Sequence, residues 1–235
     1  MTSAMSLKID FSWKRIVKWF FFAIVAILFV IFLIRVISFE NYYYNEKEGS
    51  ERASTENIGA IQPEEELIEE EPTEEEVHEY TVAADMPRYL SVGKLGVYNA
   101  RILPMGVTSD NALDTPRNIF DVGWYKASGK PGQGGTAIID GHNGGPHVHG
   151  VFKDLPKLSV GDIITIERGD GLKFSYQVYD NKEVLLSEAD KYMSTAAKSP
   201  ISGKESVTLI TCSGEWSEQR KTYLSRQFVR AVIIE

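Results

Sequence analysis

Three side chains far apart in the sequence carry the chemistry this chain could perform: Cys212, His142 and Arg226. Cys212 is the one cysteine among 235 residues. It closes the apolar run Val207-Thr208-Leu209-Ile210-Thr211 and is followed by Ser213-Gly214, so a strand ending in a small polar turn should present the sulfur at the rim of a β-structure. A thiolate that attacks a carbonyl needs a proton acceptor and donor, and a group to hold the oxyanion that forms. His142 follows a second apolar run, 136–140, and so also lies just past a strand end. Arg226 opens the last run, 227–234, which a loop over 213–225 joins to the cysteine strand. If those two strands pair antiparallel, Cys212 and Arg226 face the same opening. Arg230 is the lesser candidate, because four residues on the same face carry it about 13 Å along the strand.

Two blander readings compete. A lone cysteine commonly serves as a small buried hydrophobe, although a free thiol outside the cell is liable to oxidation unless it has a use. His142, His147 and His149 could coordinate a metal, but Gly144, Gly145 and Pro146 make that stretch a loop and no fourth ligand is conspicuous. No metal site and no cofactor are therefore expected. A single cysteine also excludes a disulfide framework and a four-cysteine zinc site, and His78, set among glutamates, reads as solvated.

The elements that must position these residues are short apolar runs punctuated by glycine. Strands are expected over 89–95, 97–103, 136–140, 162–167, 173–179, 207–211 and 227–234. Gly169-Asp170-Gly171 marks a hairpin between two of them. Only 148–155 and 188–197 read as briefly helical. This pattern over about 150 residues argues an all-β domain, one barrel or sandwich.

Charge divides the chain into three parts. Residues 1–39 carry a net +4, residues 40–81 a net −13 and residues 82–235 a net +1, which together give the overall −8. Sixteen uninterrupted apolar residues run from Trp19 to Ile34. That is short for a hydrocarbon layer of about 30 Å, but Lys18 and Arg35 can lay their stems in it. No Ala-x-Ala-like site follows, so an uncleaved anchor is expected. Lys8, Lys14, Arg15 and Lys18 precede the span, which keeps the N-terminus in the cytoplasm and exports the rest. The domain reading is 1–18 cytoplasmic, 19–39 transmembrane anchor, 40–84 acidic flexible linker and 85–235 catalytic domain. The linker's like charges and few large apolar groups favour a solvated spacer. No nucleic-acid partner is expected.

On these residues the exported part resembles a sortase, a membrane-anchored cysteine transpeptidase. Thr208-Leu209-Ile210-Thr211-Cys212 is similar to the family's TLxTC strand. His142 stands in Ile139-Asp140-Gly141-His142, and Arg226 precedes Gln227-Phe228-Val229. Val122-Gly123-Trp124-Tyr125, Gly150-Val151-Phe152 and Leu158-Ser159-Val160-Gly161-Asp162 recur in that order in class F-like members. The resemblance implies an eight-stranded closed β-barrel with short helices, preceded by the anchor and the acidic linker. It implies that Cys212 attacks a backbone carbonyl in an LPxTG-like sorting signal of a secreted protein and forms an acyl-enzyme. His142 would protonate the departing amine and deprotonate the incoming one, Arg226 would bind substrate backbone and the oxyanion, and Thr211 would add a hydroxyl contact to the substrate. The acceptor would be a cell-wall precursor or a protein amine. The reactive thiolate–imidazolium pair is a minor population in this family. The segment 186–205 would wall the peptide groove. Asp85-Met86-Pro87 is not the Asp-Pro-aromatic lid motif of the pilin-polymerising class, so no lid is expected, and no calcium loop is recognisable.

Other cysteine enzymes fit less well. A chymotrypsin-like enzyme needs two barrels. A papain-like one places cysteine at a helix start, upstream of its histidine. An L,D-transpeptidase-like enzyme has a glycine before the nucleophile, where this chain has Thr211. The non-enzymatic alternative is a tethered surface-binding module with an incidental cysteine.

Overall fold

Side chains alternate across a strand, so a closed sheet sorts each strand into one inward and one outward set. The computed structural model describes residues 67–109, 112–145 and 147–234, and the expected anchor at 19–39 lies outside them. Among the described residues no helix is long and apolar enough to cross a membrane. Eight strands close a barrel: β1 (Pro87–Val92), β2 (Val97–Met105), β3 (Val122–Tyr125), β4 (Thr136–Gly141), β5 (Ile163–Arg168), β6 (Lys173–Leu185), β7 (Ser206–Ser217) and β8 (Thr222–Ile233). Around the barrel the order is β1-β2-β3-β4-β7-β8-β6-β5. The β2/β3 and β4/β7 contacts are parallel and the others antiparallel.

All eight strands contribute to the inner core, among them Leu90, Ile102, Trp124, Ile139, Ile166, Tyr176, Leu209 and Val229. Each aliphatic side chain fully buried there stabilises by about 1.5–3 kcal/mol. The opposite parity builds a second cluster on the outside of the barrel: Ile138 of β4, Val184 of β6, Ile210 of β7 and Phe228 of β8 pack under α2 (Leu186–Ala196) through Ala189 and Ala196. A bulge between Val178 and Asp180 lets β6 serve both cores. It flips the alternation, so Val178 points inward and Val184 outward. Thr208 ties the end of α2 to the sheet by donating to the Ala196 carbonyl at 2.6 Å.

Several expected elements have different limits. The run 89–95 is strand only to Val92 and then turns through one 3-10 turn, Gly93–Leu95. The short β3 was not among the expected strands. The helix near 188–197 is α2, whereas 148–155 forms turns that lead into a 3-10 turn at Leu155–Lys157. The Gly169-Asp170-Gly171 hairpin is present, with Gly171 at φ +83° and its amide donating to the Arg168 carbonyl at 2.9 Å. The loop expected over 213–225 is instead mostly ladder. β7 runs to Ser217 and β8 starts at Thr222, with a register shift between Ser213 and Trp216.

Residues 67–84, read from sequence as part of the flexible linker, lie against the barrel. Ile68 bridges Asn118 and exchanges backbone hydrogen bonds with Arg117 and Ile119 at 2.9 and 3.1 Å. A single-turn helix, α1 (Glu74–Glu79), is closed by a capping box between Thr73 and Glu76. Tyr80 then donates its hydroxyl to the Ile102 carbonyl of β2 at 2.5 Å. We call residues 67–80 the strap.

Candidate active site

The β4/β7 parallel pair and the β7/β8 antiparallel pair bring the three expected residues to one end of the barrel. Cys212 and Arg226 are direct register partners, so their side chains share a face. That face is the outer one. Cys212 has the parity of Thr208 and Ile210, and Arg226 that of Phe228, while Leu209 and Val229 point inward. The sulfur therefore lies beside the apolar patch under α2, not in the barrel mouth, and both residues are half-buried. Arg230 shares the face further down but is held in a two-point ion pair by Asp180, which leaves Arg226 as the guanidinium facing the sulfur.

His142 follows Gly141, the last residue of β4. The backbone ladder of β4 with β7 ends at Asp140 opposite Ile210, and two side chains extend it. The Thr211 hydroxyl, in a buried residue, donates to the Gly141 carbonyl at 2.8 Å. The Asn143 amide donates to the Cys212 carbonyl at 2.9 Å. These two rungs fix the strand ends that carry His142 and Cys212. Thr211, expected to touch substrate, has its hydroxyl committed inside the protein. Gly141 has no space for a side chain, since a Cβ there would stand 2.7 Å from the Phe152 ring.

The imidazole is oriented by a loop. Its Nε2 donates to the Pro116 carbonyl at 2.8 Å, so in the neutral ring Nδ1 is the nitrogen free to take a proton. The residue before Pro116 holds a second titratable group: the Thr115 hydroxyl donates to Oδ2 of Asp140 at 2.5 Å. The strap braces this region. Glu69 Oε1 accepts from the amides of His147 at 2.9 Å and Val148 at 3.4 Å, on the loop that follows His142. Pro116 also lines a cavity of about 670 Å³ between the strap, β2 and the 113–121 segment. His147 and His149 are exposed on their loop.

Burial governs the protonation states. It pushes the Cys212 thiol up, a rise that Arg226 opposes and Asp140 reinforces. It holds His142 below the ordinary histidine range, against the Pro116 hydrogen bond. Both shifts favour the uncharged thiol and imidazole over the ion pair. Arg226 meanwhile donates to the carbonyls of Ser225 and Tyr223 at 2.9 and 3.1 Å, and to the Thr222 hydroxyl at 3.4 Å. Around Cys212, Asn143 Oδ1 and Ser213 Oγ are buried without a partner among the described residues. Sequence reasoning missed Asn143, Thr115 and Pro116, for which no local signal exists. It also passed over Asp140, although an acid in an apolar strand two residues before a histidine is such a signal.

A family model described as "Sortase domain" matches residues 90–234. Similar solved structures include sortase C1 of the GBS pilus island 1 (22% identity over 66% of this chain and 66% of that chain, TM-score 0.47). Another is a Clostridium perfringens sortase D5 transpeptidase (23%, 70% and 90%, 0.44). Sortase A from Corynebacterium diphtheriae is a third (22%, 62% and 59%, 0.43). No curated protein matches the chain at a significant level.

Proposed function

Because the chain belongs to the sortase family, we propose that it is a membrane-anchored cysteine transpeptidase that joins proteins bearing an LPxTG-like sorting signal to an amine on the cell surface. The observation that carries this reading is the pairing of Cys212 with Arg226 on one face, beside the strand end that leads into His142. In the first half-reaction the thiol proton passes to Nδ1 of His142 and the sulfur attacks the scissile carbonyl. A C–S bond forms, and the carbonyl electron pair moves onto oxygen. Arg226 exchanges its hydrogen bonds to the β7–β8 hairpin for that oxyanion and for substrate backbone. Collapse breaks the C–N bond, His142 protonates the departing amine, and the acyl group remains on Cys212 as a thioester. In the second half His142 takes a proton from the incoming amine as it attacks the thioester; a C–N bond forms, the C–S bond breaks, and the proton on His142 passes to the departing sulfur to restore the thiol.

Thr211 enters through the strand-end geometry, since contact with substrate would first require its bond to Gly141 to break. The helix α2, seated on Ile138, Val184, Ile210 and Phe228 beside the sulfur, would wall the peptide groove. The N-terminal span and the acidic segment after it would keep the domain outside the cell, tethered to the membrane.

The test is mass spectrometry of the intact full-length chain after incubation with a library of sorting-signal peptides and an amine acceptor. The expected result is an acyl adduct on Cys212, whose mass identifies the motif and the scissile bond, and its disappearance in Cys212→Ala together with product. Full transpeptidation by Cys212→Ala refutes the assignment.

A further inference from the structure

The mechanism above uses no carboxyl group, yet one stands about 8 Å from the sulfur on the same face. Asp140 is the last outward-pointing residue of β4, with the parity of Ile138, and its register partner on β7 is Ile210. Cys212 is two residues further along β7 on the same face. The spacing of the ladder and the rise of two residues put the two side chains about 8 Å apart.

Two features show that the carboxyl is housed. On one side its neighbour across β3 is Gly123, where a Cβ would come within 2.6 Å of Oδ1, so the glycine leaves the space the carboxyl fills. On the other, Thr115 donates to Oδ2 at 2.5 Å, from the dipeptide whose next carbonyl orients His142. One two-residue segment therefore fixes both the imidazole and the acid.

We propose that Asp140 is a positioning residue of the active site, whose carboxyl, held in place by the hydroxyl of Thr115, controls how readily the Cys212 sulfur ionises. The proposal rests on the reading of Cys212 as the nucleophile and extends it. Burial pushes the Asp140 carboxyl up to about 7, against the Thr115 bond and with a smaller push from Asp114. The carboxyl thus changes charge near neutral pH. The groups facing it are Asp114 and Thr115 from the loop, Cys212 from β7 and His142 two residues on along its own chain, while Arg226 reaches the sulfur from β8. Protonated, Asp140 leaves the sulfur under the influence of Arg226. Ionised, it opposes the thiolate and favours the imidazolium, so the two halves of the reactive pair respond in opposite directions.

Cys212 is the only cysteine, so the pH dependence of iodoacetamide alkylation of the full-length chain reads its ionisation directly, without any peptide substrate. In Asp140→Asn, of the same shape, the alkylation midpoint is expected to fall by about 0.4–1.5 pH units, the Coulomb range for about 8 Å between an aqueous and a protein-like dielectric. The wild-type curve should carry a second inflection near neutrality that Asp140→Asn lacks. Should Asp140→Asn fail to fold by circular dichroism, Thr115→Val carries the test, since loss of the hydroxyl should move that inflection to higher pH. Superimposable curves for wild type and folded Asp140→Asn overturn the proposal, as does an unmoved inflection in Thr115→Val. Failure of the transpeptidase reading gives a different result: Cys212→Ala keeps its activity, while the alkylation curves still separate.

Discussion

Thr211 offers the sharpest test of how this site is held together, because two roles for its hydroxyl predict opposite kinetics. The hydroxyl is buried and donates to the Gly141 carbonyl at 2.8 Å, one residue before His142 and one before Cys212 on their respective strands. Thr211→Val keeps the shape and removes the donor. A buried acceptor deprived of its partner costs about 1–3 kcal/mol. For a folded unit of this size, that lowers the melting temperature by about 2–4 °C per kcal/mol. With one of two side-chain rungs gone, the end of β4 is free to drift from β7. A displacement of about 1 Å between reacting groups costs on the order of 100-fold in rate. The expected outcome is a fall in kcat of about 10- to 100-fold with KM changed less than about threefold, and recovery of most of both losses in Thr211→Ser. Thermal melts and steady-state transpeptidation with a sorting-signal peptide measure the two quantities. An unchanged melting temperature with a raised KM would refute the reasoning and return the hydroxyl to the substrate.

Asp140 and the strap give two further expectations. A carboxyl at about 7 in the folded chain and about 4 in the unfolded one means that, between those values, the folded state holds a proton the unfolded state has released. Its contribution to stability is therefore intact below about pH 4 and lost as pH rises through 7, on the order of 3–4 kcal/mol in all. Asp140→Asn should accordingly gain in melting temperature over wild type on going from pH 5 to pH 8, and a constant difference would contradict the burial argument. Gly145→Ala would put a Cβ 2.1 Å from Oε1 of Glu69, so the carboxylate must leave the amides of His147 and Val148. Hydrogen exchange at those two amides should rise about fivefold, for about 1 kcal/mol of lost protection, and unchanged exchange would show that the strap does not brace the loop.

The barrel was legible in the sequence where hydrophobic runs are long and bounded by glycine. The strands around Ile139, Leu209 and Val229 and the Gly169-Asp170-Gly171 hairpin are local patterns, and they are present. The four residues of β3 were not, because Gly123 breaks the run. Only the barrel shows that this glycine leaves space for Asp140, Met105 and Pro116. Cys212 and Arg226 were paired correctly from chain order and antiparallel logic. Their face was beyond sequence reading, since inward and outward parity depends on how the barrel closes and on the bulge after Val178. The strap was misread because composition counts charges. Glutamates dominate 67–80, but a few contacts decide its place: Ile68 on the 117–119 backbone, Tyr80 on Ile102 and Glu69 on the histidine loop. Asn143 and Pro116 act through a side-chain amide and a backbone carbonyl, which no spacing rule reveals.

The position of the sulfur on the outer face also explains why the resting pair is neutral. The packing of α2 on Ile210 and Phe228 beside the sulfur excludes water, and burial penalises both the thiolate and the imidazolium. In the proposed reaction charge separation must therefore be assisted as substrate arrives, and the group placed to assist is Arg226. In the free chain its donors are satisfied by Thr222, Tyr223 and Ser225 at the start of β8, near the β7–β8 turn. A substrate carbonyl that replaces those acceptors swaps hydrogen bonds of similar strength while the oxygen is neutral, and gains only as it becomes an oxyanion. On this reading the hairpin acceptors hold the guanidinium ready at little cost in the ground state. The binding energy it supplies is then realised in the transition state, where it raises kcat more than it lowers KM.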